Sequence, residues 1–477
     1  MGKALSKDVD VTGLTADSRA VKPGFLFAAL PGTKSDGRDF VPQAVAGGAV
    51  AVLAPEGSKL KLPAGVALIT DGNPRRRFAL MAAAFHQRQP ETMVAVTGTN
   101  GKTSTAAFYR QIWQRLGHRA AAIGTLGVIA EGWSNTGGLT TPDPAGLHKT
   151  LAALAEFGVT HACMEASSHG LDQYRLDGVK LKVAAFTNLT RDHLDYHPDM
   201  AAYGKAKLRL FAELLPADAT VVVNADDALA ADIREIAASR GQTVLNYGYR
   251  ARELRLIQAQ PGVNGQLLTL DILGRRCEVA FPLAGTFQVH NALAALGLAV
   301  ATGAEPAAVL DAFEHMEGVP GRLQKVAERN NGAAVYVDYA HTPDALETVL
   351  AALEPHAMRR LILVFGCGGD RDPGKRPQMG AIAARLATKT IVTDDNPRTE
   401  SAGAIRKAIL AACPHAHEIG DRRLAIRTAV DMLEPGDLLV IAGKGHESGQ
   451  IVGATVHPFD DADEARAAVA EFDGGAA

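Results

Sequence analysis

One segment constrains the fold of this chain more than any other: an apolar run that leads directly into Gly98-Thr-Asn-Gly-Lys-Thr-Ser104. A strand, a glycine-rich turn and a helix in this order are typical of a P-loop, whose backbone N–H groups and helix N-terminus bind phosphate oxygens. Lys102 is then expected to neutralise the β- and γ-phosphates, and the Thr103 hydroxyl to bind Mg²⁺. Val96 stands where the longer motif has its first glycine, so only the shorter core matches. An ordinary turn with an exposed lysine is the alternative, which the flanking strand and helix disfavour.

The alternation of apolar runs and helical segments divides the 477 residues into three α/β units. This count agrees with one domain per roughly 150 residues. Residues 1–88 combine short β-type runs with Gly-containing turns, which predicts a small α/β domain. Its last helix, at 78–88, should end before Pro90, because the residue before a proline avoids helical backbone angles.

The second and third units alternate apolar strands with helical segments, which is the pattern of parallel sheets. Residues 89–320 predict a central P-loop domain with a mainly parallel sheet, interrupted by a polar, β-rich stretch at about 242–280. A turn and linker are expected at 318–324. Residues 321–477 should begin with a strand at 335–338 and form a Rossmann-like, doubly wound domain.

Composition argues against several classes of function. The 49 Lys and Arg against 52 Asp and Glu leave a formal net charge of −3, so the chain has no global basic field for nucleic acid. No apolar run approaches the roughly 18 residues of a membrane span, and the N-terminus lacks the apolar core of a signal peptide. We therefore expect no membrane insertion and no export. The four cysteines are widely spaced without a C-x-x-C pair, which favours a reducing, cytoplasmic location over a disulfide framework or a structural zinc site.

Polar side chains follow the strands of the central unit, at the sheet edge where doubly wound proteins bind ligands. Glu165 follows one strand, and His193 lies in the loop after another. Carboxylate and water suit Mg²⁺ and one imidazole is tolerable, so both residues are candidate metal ligands. A helix N-cap at Glu165 and a hydrogen-bonded loop histidine at His193 are the alternatives.

The third unit also carries charged residues after its strands. Arg371, Arg376 and Arg398 offer forked guanidinium groups for carboxylate recognition, and Glu447 offers a partner for an ammonium. A solvated rim of structural turns is the alternative. A sheet that binds a nucleoside triphosphate, facing one that binds a small zwitterion, predicts a domain-closing transferase or ligase.

Six motifs combine along nearly the whole chain: Gly98-Thr-Asn-Gly-Lys-Thr103, Met164-Glu-Ala-Ser-Ser-His-Gly-Leu171, Asp192-His-Leu-Asp-Tyr-His197, His290-Asn291, Asp338-Tyr-Ala-His-Thr-Pro343 and Gly366-Cys-Gly-Gly-Asp-Arg371. This combination resembles the Mur ligases, the ATP-dependent amide ligases of peptidoglycan synthesis. Within that family, Asp395-Asn-Pro-Arg398 is similar to the motif of the branch that adds 2,6-diaminopimelate. The resemblance implies the three α/β domains and a ligase that forms a C–N bond.

The resemblance also implies a site for each substrate. The first domain would bind the UDP moiety through Ser18, and the muramoyl dipeptide would contact Thr140, Thr141, Ser167, Gln173 and Arg175. ATP would be bound by Gly98, Thr99, Asn100, Gly101, Lys102, Thr103, Ser104, Asn291, Arg322 and Asp338. Diaminopimelate would be bound by Arg371, Asp395, Asn396, Pro397, Arg398, Gly443 and Glu447.

A magnesium site and a reaction follow from the same resemblance. The metal ligands would be Thr103, Glu165, His193 and Lys207, the last as a carbamate formed with CO2. Sequence alone makes Lys207 a residue of a surface helix. ATP would phosphorylate the γ-carboxylate of D-Glu in UDP-N-acetylmuramoyl-L-Ala-D-Glu, and an amine of meso-diaminopimelate would attack the acyl phosphate. Charge would be offset by Lys102 and Arg322, and His341 is a candidate base for the amine.

Three alternatives remain at this point. A lysine-adding ligase of the same family and a folylpolyglutamate synthase-like ligase are disfavoured by the 395–398 loop and by the N-terminal unit. Arg371 and Arg398 would hold the distal carboxylate that lysine lacks, and unpaired arginines would penalise lysine. A nucleotide-gated regulatory protein would instead hydrolyse ATP slowly and independently of other substrates. Only small molecules are expected as partners, and we expect a monomer.

Overall fold

Three open sheets and a two-stranded hairpin follow one another in the computed structural model, which describes residues 9–32, 35–135, 139–262 and 265–474. The first sheet is all parallel, in the order β1-β2-β3-β4. Its elements are β1 (Gly13–Thr15), β2 (Phe25–Ala28), α1 (Val41–Ala46), β3 (Ala51–Pro55), β4 (Ala67–Asp71) and α2 (Pro74–His86).

Helix α2 differs at both ends from the predicted span 78–88. It starts at Pro74, where the Asn73 side chain caps it by accepting from the Arg76 N–H at 3.1 Å. It ends at His86 because Gln87 adopts a left-handed φ of 60°. The helix therefore stops before the restriction imposed by Pro90 takes effect.

The central sheet has eleven strands in the order β15-β14-β13-β12-β11-β10-β5-β9-β6-β7-β8. Its middle is parallel from β13 to β6, as predicted, and antiparallel pairs extend it at both edges. The strands are β5 (Thr92–Thr97), β6 (Ala120–Gly124), β7 (Gly127–Ala130), β8 (Trp133–Asn135), β9 (His161–Glu165), β10 (Leu181–Phe186), β11 (Thr220–Asn224), β12 (Thr243–Gly248), β13 (Leu254–Gly262), β14 (Gly265–Ile272) and β15 (Arg275–Phe281).

Helices cover both faces of this sheet, so every residue of β5 is buried. Helices α3 and α8 pack on one face, and α4 and α7 on the other. The helices of the unit are α3 (Lys102–Arg115), α4 (Pro144–Glu156), α5 (Ser168–Asp172), α6 (Met200–Arg209), α7 (Ala230–Arg240), α8 (Thr286–Ala301) and α9 (Pro306–Phe313). This packing fixes the P-loop between the end of β5 and the start of α3.

The third sheet runs in the order β16-β17-β21-β18-β19-β20 and is parallel except for β16. The strands are β16 (Gln324–Glu328), β17 (Ala334–Asp338), β18 (Leu361–Phe365), β19 (Lys389–Val392), β20 (His417–Glu418) and β21 (Leu438–Ala442), and the hairpin is β22 (Gly449–Val452) with β23 (Thr455–Pro458). The helices are α10 (Pro343–Leu353), α11 (Lys375–Leu386), α12 (Ala402–Leu410), α13 (Arg422–Asp431) and α14 (Asp461–Gly474).

The third unit begins earlier than the predicted strand at 335–338. Leu323, with a φ of 46°, ends the linker, and β16 starts at the next residue. This strand pairs on one side only and contains polar residues, so the apolar pattern did not reveal it. Within the described part of the chain, no helix is long and apolar enough to cross a bilayer.

Candidate active site

A cavity of about 970 Å³ lies where the loops after β10, β17, β18, β19 and β21 meet, between the central and third sheets. The predicted residues on its wall are His193, His341, Arg371, Asp395, Asn396, Arg398, Gly443 and Glu447. The fold therefore brings together residues that are up to 254 positions apart, from His193 to Glu447. Because the carboxyl ends of parallel strands collect at one sheet edge, both doubly wound sheets contribute to this single space.

The P-loop approaches its neighbours so closely that two of its positions require glycine. Gly98 has a φ of 147°, and a Cβ there would lie 1.9 Å from Thr187 Oγ1. Gly101 has a φ of 86°, and a Cβ there would lie 2.2 Å from Asn291 Oδ1. The predicted ATP-binding residue Asn291 is thus packed directly against the phosphate loop.

Lys102 and the following hydroxyl residues begin helix α3 at the end of this loop. The Lys102 Nζ donates to the carbonyls of Gly98 and Thr99 at 2.9 and 2.7 Å. Burial lowers the pKa of Lys102, and the Glu165 carboxylate opposes that shift. Ser104 is buried behind Thr103. The ammonium therefore lies across the loop whose N–H groups would face phosphate.

Lys207 is buried, which contradicts its prediction as a surface residue. Its side chain is only 1% exposed, and Nζ donates to Gly98 O at 2.6 Å. The ammonium also lies 4.3 Å from the centre of the Tyr203 ring. Burial, with the nearby Lys102 charge, lowers the pKa of Lys207 well below its usual value. The amine is consequently placed beside the P-loop in an environment that favours its neutral form.

Glu165 is held by Thr125 and does not cap a helix. Its two carboxylate oxygens accept from the Thr125 N–H at 2.8 Å and from the Thr125 hydroxyl at 3.1 Å. The N-cap of α5 is Ser167 instead. Glu165 and Thr103 both line a second cavity, of about 260 Å³, beside the start of α3. A carboxylate and a hydroxyl are the hard oxygen ligands that Mg²⁺ prefers.

His193 lines the larger cavity rather than the one shared by Thr103 and Glu165. It has a left-handed φ of 54°, and its Nε2 is 3.6 Å from Asp192 Oδ2. Across the described ranges, no three His, Cys, Asp or Glu side chains converge as a metal-binding group. Thr103 and Glu165 thus supply oxygen ligands that fit Mg²⁺, and His193 lines the other cavity.

Five predicted dipeptide-binding residues belong to one hydrogen-bonded network: Thr140, Thr141, Ser167, Gln173 and Arg175. The Thr141 hydroxyl donates to Glu165 O at 2.9 Å, and Arg175 Nη1 donates to Thr141 O at 2.8 Å. The network thus adjoins the carboxylate of Glu165. Ser18 lies apart in the first unit, where its hydroxyl donates to Gln43 Oε1 at 2.8 Å.

Arg322 and Asp338 join the linker to both sheets. Arg322 Nη2 donates to Thr103 Oγ1 at 3.3 Å, and its guanidinium stacks 4.5 Å from the Tyr339 ring centre. Asp338 accepts the N–H of Leu323 at 2.6 Å and that of Ala340 at 2.7 Å. Burial raises the pKa of Asp338 to about 6. One arginine therefore reaches the P-loop, while the aspartate anchors the turn that presents it.

His341 lies on the cavity wall, with one ring nitrogen committed to a backbone carbonyl. Its Nδ1 lies 2.9 Å from Tyr339 O, and because a carbonyl only accepts, Nδ1 must carry the proton and Nε2 the lone pair. Burial, with the charge of Lys375, lowers the pKa of His341. Lys375 Nζ also donates to His341 O at 2.8 Å.

The 395–398 loop holds its arginine in an unusual backbone conformation. Arg398 has a φ of 52°, and its Nη1 donates to Gly369 O at 2.8 Å. Pro397 packs its carbonyl against Gly369, where a Cβ would lie 2.0 Å away. Gly443, at a φ of 117°, leaves room for Asp395 Oδ2, which would lie 2.7 Å from a Cβ.

Arg376 does not offer its fork to the cavity. It is 6% exposed, and its Nη2 donates to Glu400 Oε1 at 2.8 Å. Its ion-pair partner in this structure belongs to the chain itself, and binding of a substrate carboxylate by Arg376 stays a prediction. Two residues that sequence reasoning missed are Tyr203, whose hydroxyl is 3.2 Å from Thr99 Oγ1, and the buried Lys444. Tyr203 precedes Lys207 by one helical turn, which was the available signal.

Family models match each of the three units. The Mur ligase family catalytic domain matches residues 10–96, the Mur ligase middle domain 96–299 and the Mur ligase glutamate ligase domain 321–445. The chain is 55% identical over 97% of its length to UDP-N-acetylmuramoyl-L-alanyl-D-glutamate--2,6-diaminopimelate ligase from Caulobacter vibrioides, covering 96% of that protein. It is 54% identical over 97% of its length to the protein of the same name from Bradyrhizobium diazoefficiens, covering 95% of it.

Solved structures of Mur ligases also match the chain over most of its length. A structure of UDP-N-acetylmuramoyl-L-alanyl-D-glutamate--2,6-diaminopimelate ligase matches with a TM-score of 0.71 and 36% identity, over 97% of this chain and 95% of that one. MurF ligase from Thermotoga maritima in complex with ADP shares the fold, with a TM-score of 0.68 and 17% identity over 99% and 100% of the two chains. These matches confirm the three-unit α/β architecture. Together with the family models, they establish that the chain belongs to the Mur ligase family.

Proposed function

We propose that this chain is an ATP-dependent amide ligase that joins meso-2,6-diaminopimelate to the D-Glu γ-carboxylate of UDP-N-acetylmuramoyl-L-Ala-D-Glu. The observation that carries the proposal is the shared cavity, which the P-loop sheet and the arginine-bearing third sheet both border. The relatives that are 55% and 54% identical, which carry this activity in their names, support the same reaction. ATP use is supported by the P-loop.

The first step forms a bond between a γ-carboxylate oxygen and the γ-phosphorus of ATP and breaks the bond to ADP. Catalysis of such a step consists mainly of positioning and of offsetting negative charge. Lys102 would supply a cation at the loop, and Arg322 a second one at the Thr103 hydroxyl. The network around Thr141 and Arg175 would hold the dipeptide beside Glu165.

Magnesium would be held by Thr103 and Glu165, with Lys207 as a third ligand after carbamate formation. When bound, the cation would shield the phosphate charge. A carbamate forms only from a neutral amine, and burial favours that form of Lys207. Carbamate formation would place an anion beside the Lys102 ammonium, and this attraction would stabilise the carbamate. His193 stays a predicted ligand.

The second step forms the amide. The diaminopimelate amine attacks the acyl carbon, the C–O bond to phosphate breaks, and the ammonium proton must go to a base. His341 Nε2 is the candidate acceptor, since its Nδ1 is committed to Tyr339 O. Arg371 and Arg398 line the cavity and would hold the distal carboxylate, with Asn396 and Glu447 at the ammonium end.

The test is phosphate release from the purified chain with ATP, Mg²⁺ and the UDP-muramoyl dipeptide. Parallel reactions contain meso-diaminopimelate, L-lysine or no amine, and mass spectrometry identifies the nucleotide product. Release that requires diaminopimelate, with a tripeptide product, is the expected result. Equal use of lysine would refute the role given to Arg371 and Arg398. Release that is independent of any amine would refute the ligase and favour the regulatory alternative.

Three further proposals accompany this function. We place the domain boundaries at 88/89 and 320/321, near the change from one sheet to the next. A cytoplasmic location is supported by four free thiols, Cys163, Cys277, Cys367 and Cys413. A monomer with small-molecule partners alone stays a prediction.

A further inference from the structure

Behind two residues that line the cavity, Asn396 and Glu447, lies a buried lysine to which the proposed reaction gives no role. Lys444 follows β21, and its side chain is 0% exposed. Its Nζ donates to Asn396 Oδ1 and to Glu447 Oε2, each at 3.1 Å. Burying an ammonium is costly unless it is paired and hydrogen-bonded, and these two groups supply both conditions.

The contacts of Lys444 fix the orientation of the Asn396 amide. Asn396 Oδ1 accepts from the lysine and from the Ile451 N–H at 2.8 Å, and both of these groups are donors only. The amide must therefore turn its Nδ2 toward Glu447, where it donates to Oε2 at 2.8 Å. The hairpin residue Ile451 and Lys444 thus set one orientation of an amide that would otherwise have two.

The same arrangement fixes the Glu447 carboxylate. Its Oε2 receives two donors, from Asn396 and from Lys444. Within the part of the chain that the structure describes, no hydrogen-bond donor reaches Oε1, although the side chain is 33% exposed and lines the cavity. One oxygen is therefore held in the wall, and the other remains available to an ammonium in the cavity.

We propose that Lys444 is a positioning residue for amino-acid recognition, which locks Asn396 and Glu447 so that Glu447 receives an ammonium group of the incoming amino acid. This inference rests on the proposed function, because it takes the ligand of the cavity to be a diamino acid. Lys444 itself does not touch the substrate. Its effect is transmitted through the two side chains that it bonds.

The test compares Lys444→Met with the wild-type chain and with Lys389→Met, which removes the same charge from an exposed position on β19. We measure kcat and the KM for diaminopimelate, ATP and the UDP-muramoyl dipeptide. Loss of hydrogen bonds to a charged group predicts a KM for diaminopimelate raised about tenfold to a hundredfold. The other two KM values, and all values of the Lys389 variant, should stay close to wild type.

A double-mutant cycle with Glu447→Gln tests whether the lysine acts through the glutamate. We expect strong non-additivity, with the double variant no weaker in diaminopimelate binding than Glu447→Gln alone. Lys444→Gln keeps a hydrogen-bond donor on a side chain one bond shorter, and it serves if methionine prevents folding. An unchanged KM for diaminopimelate, additive effects, equal losses for all three substrates, or failure of both Lys444 variants to fold would overturn the inference. A wild-type chain that does not use diaminopimelate would refute the proposed function, and the inference with it.

Discussion

Replacing Arg398 by alanine should separate recognition of diaminopimelate from recognition of lysine. The guanidinium has five N–H donors, and one nitrogen, Nη1, is engaged by Gly369 O at 2.8 Å. The remaining donors can still form a pair of bonds with a carboxylate in the cavity. Alanine keeps the backbone strain of the left-handed φ of 52° unchanged, because both residues have a Cβ.

The size of the effect follows from the bonds that are lost. Each hydrogen bond to a charged group contributes about 1.5–3 kcal/mol, so two bonds correspond to at least about 3 kcal/mol. At about 1.4 kcal/mol for each factor of ten, kcat/KM for diaminopimelate should fall by at least about 100-fold. Lysine has no distal carboxylate, so its kcat/KM should change little. Loss of the Gly369 bond should reduce the free energy of unfolding by about 1 kcal/mol.

The assay is phosphate release at varied amine concentration, with urea unfolding to measure stability. Arg423→Ala is the matched control, because that arginine is exposed and pairs with Glu464 away from the cavity. Its values should match those of the wild-type chain. An equal loss with diaminopimelate and lysine, or no loss with diaminopimelate, would refute the assignment of Arg398 to the distal carboxylate.

Four further predictions concern the metal site, the buried amine and stability. The glutamine of Glu165→Gln can still accept from the Thr125 N–H and donate to the Thr125 hydroxyl, so the Tm should not change. The variant should need more Mg²⁺ for half-maximal activity. A lower Tm with an unchanged Mg²⁺ requirement would contradict the ligand role. Burial lowers the pKa of Lys207, which favours the neutral amine that forms a carbamate with CO2. Wild-type activity should therefore fall in CO2-depleted buffer and recover with bicarbonate, and Lys207→Met should be inactive in both buffers. Wild-type activity that is insensitive to CO2 would count against a carbamate. Burial raises the pKa of Asp338 from 3.8 to about 6. Between these two pH values the folded chain keeps a proton that the unfolded chain releases. This carboxyl's contribution to the free energy of unfolding should therefore fall as the pH rises from 3.8 to about 6. Urea unfolding at several pH values should show that Asp338→Asn loses this part of the pH dependence of the free energy of unfolding. Asp461→Asn would leave the fully buried Arg422 without its charge partner and should reduce the free energy of unfolding by about 3–5 kcal/mol, whereas a loss below about 1 kcal/mol would contradict the burial argument.

Features that depend on residues adjacent along the chain were predictable from the sequence. The P-loop was predictable because two glycines, an apolar run and a helix start all lie within residues 93–104. The parallel strands of the central and third sheets were also predictable, since both faces are covered and the strands are continuously apolar. The edge strand Gln324–Glu328 was not, because a strand that pairs on one side can remain polar.

Side-chain partners that come from distant segments of the chain could not be predicted from the sequence. Arg376 and Arg398 look equivalent along the chain, yet Arg376 is buried and paired with Glu400, whereas Arg398 is on the cavity wall. Glu165 and His193 both follow strands, but they line different cavities. The metal, dipeptide and amino-acid assignments stay predictions until variants are measured.

The sequence by itself determined the strand–turn–helix of the phosphate loop, the parallel sheets and the family, since backbone preferences and apolar periodicity are local properties. Only the tertiary structure decided which charges are buried and what they bond. Lys207 lies on a helix 109 residues from the Gly98 carbonyl that it contacts, and Lys444 bonds Asn396 across 48 residues. The ionisation and orientation of a buried side chain depend on the groups that surround it in space. Those groups are set by the packing of whole sheets, which the local pattern of residues does not specify.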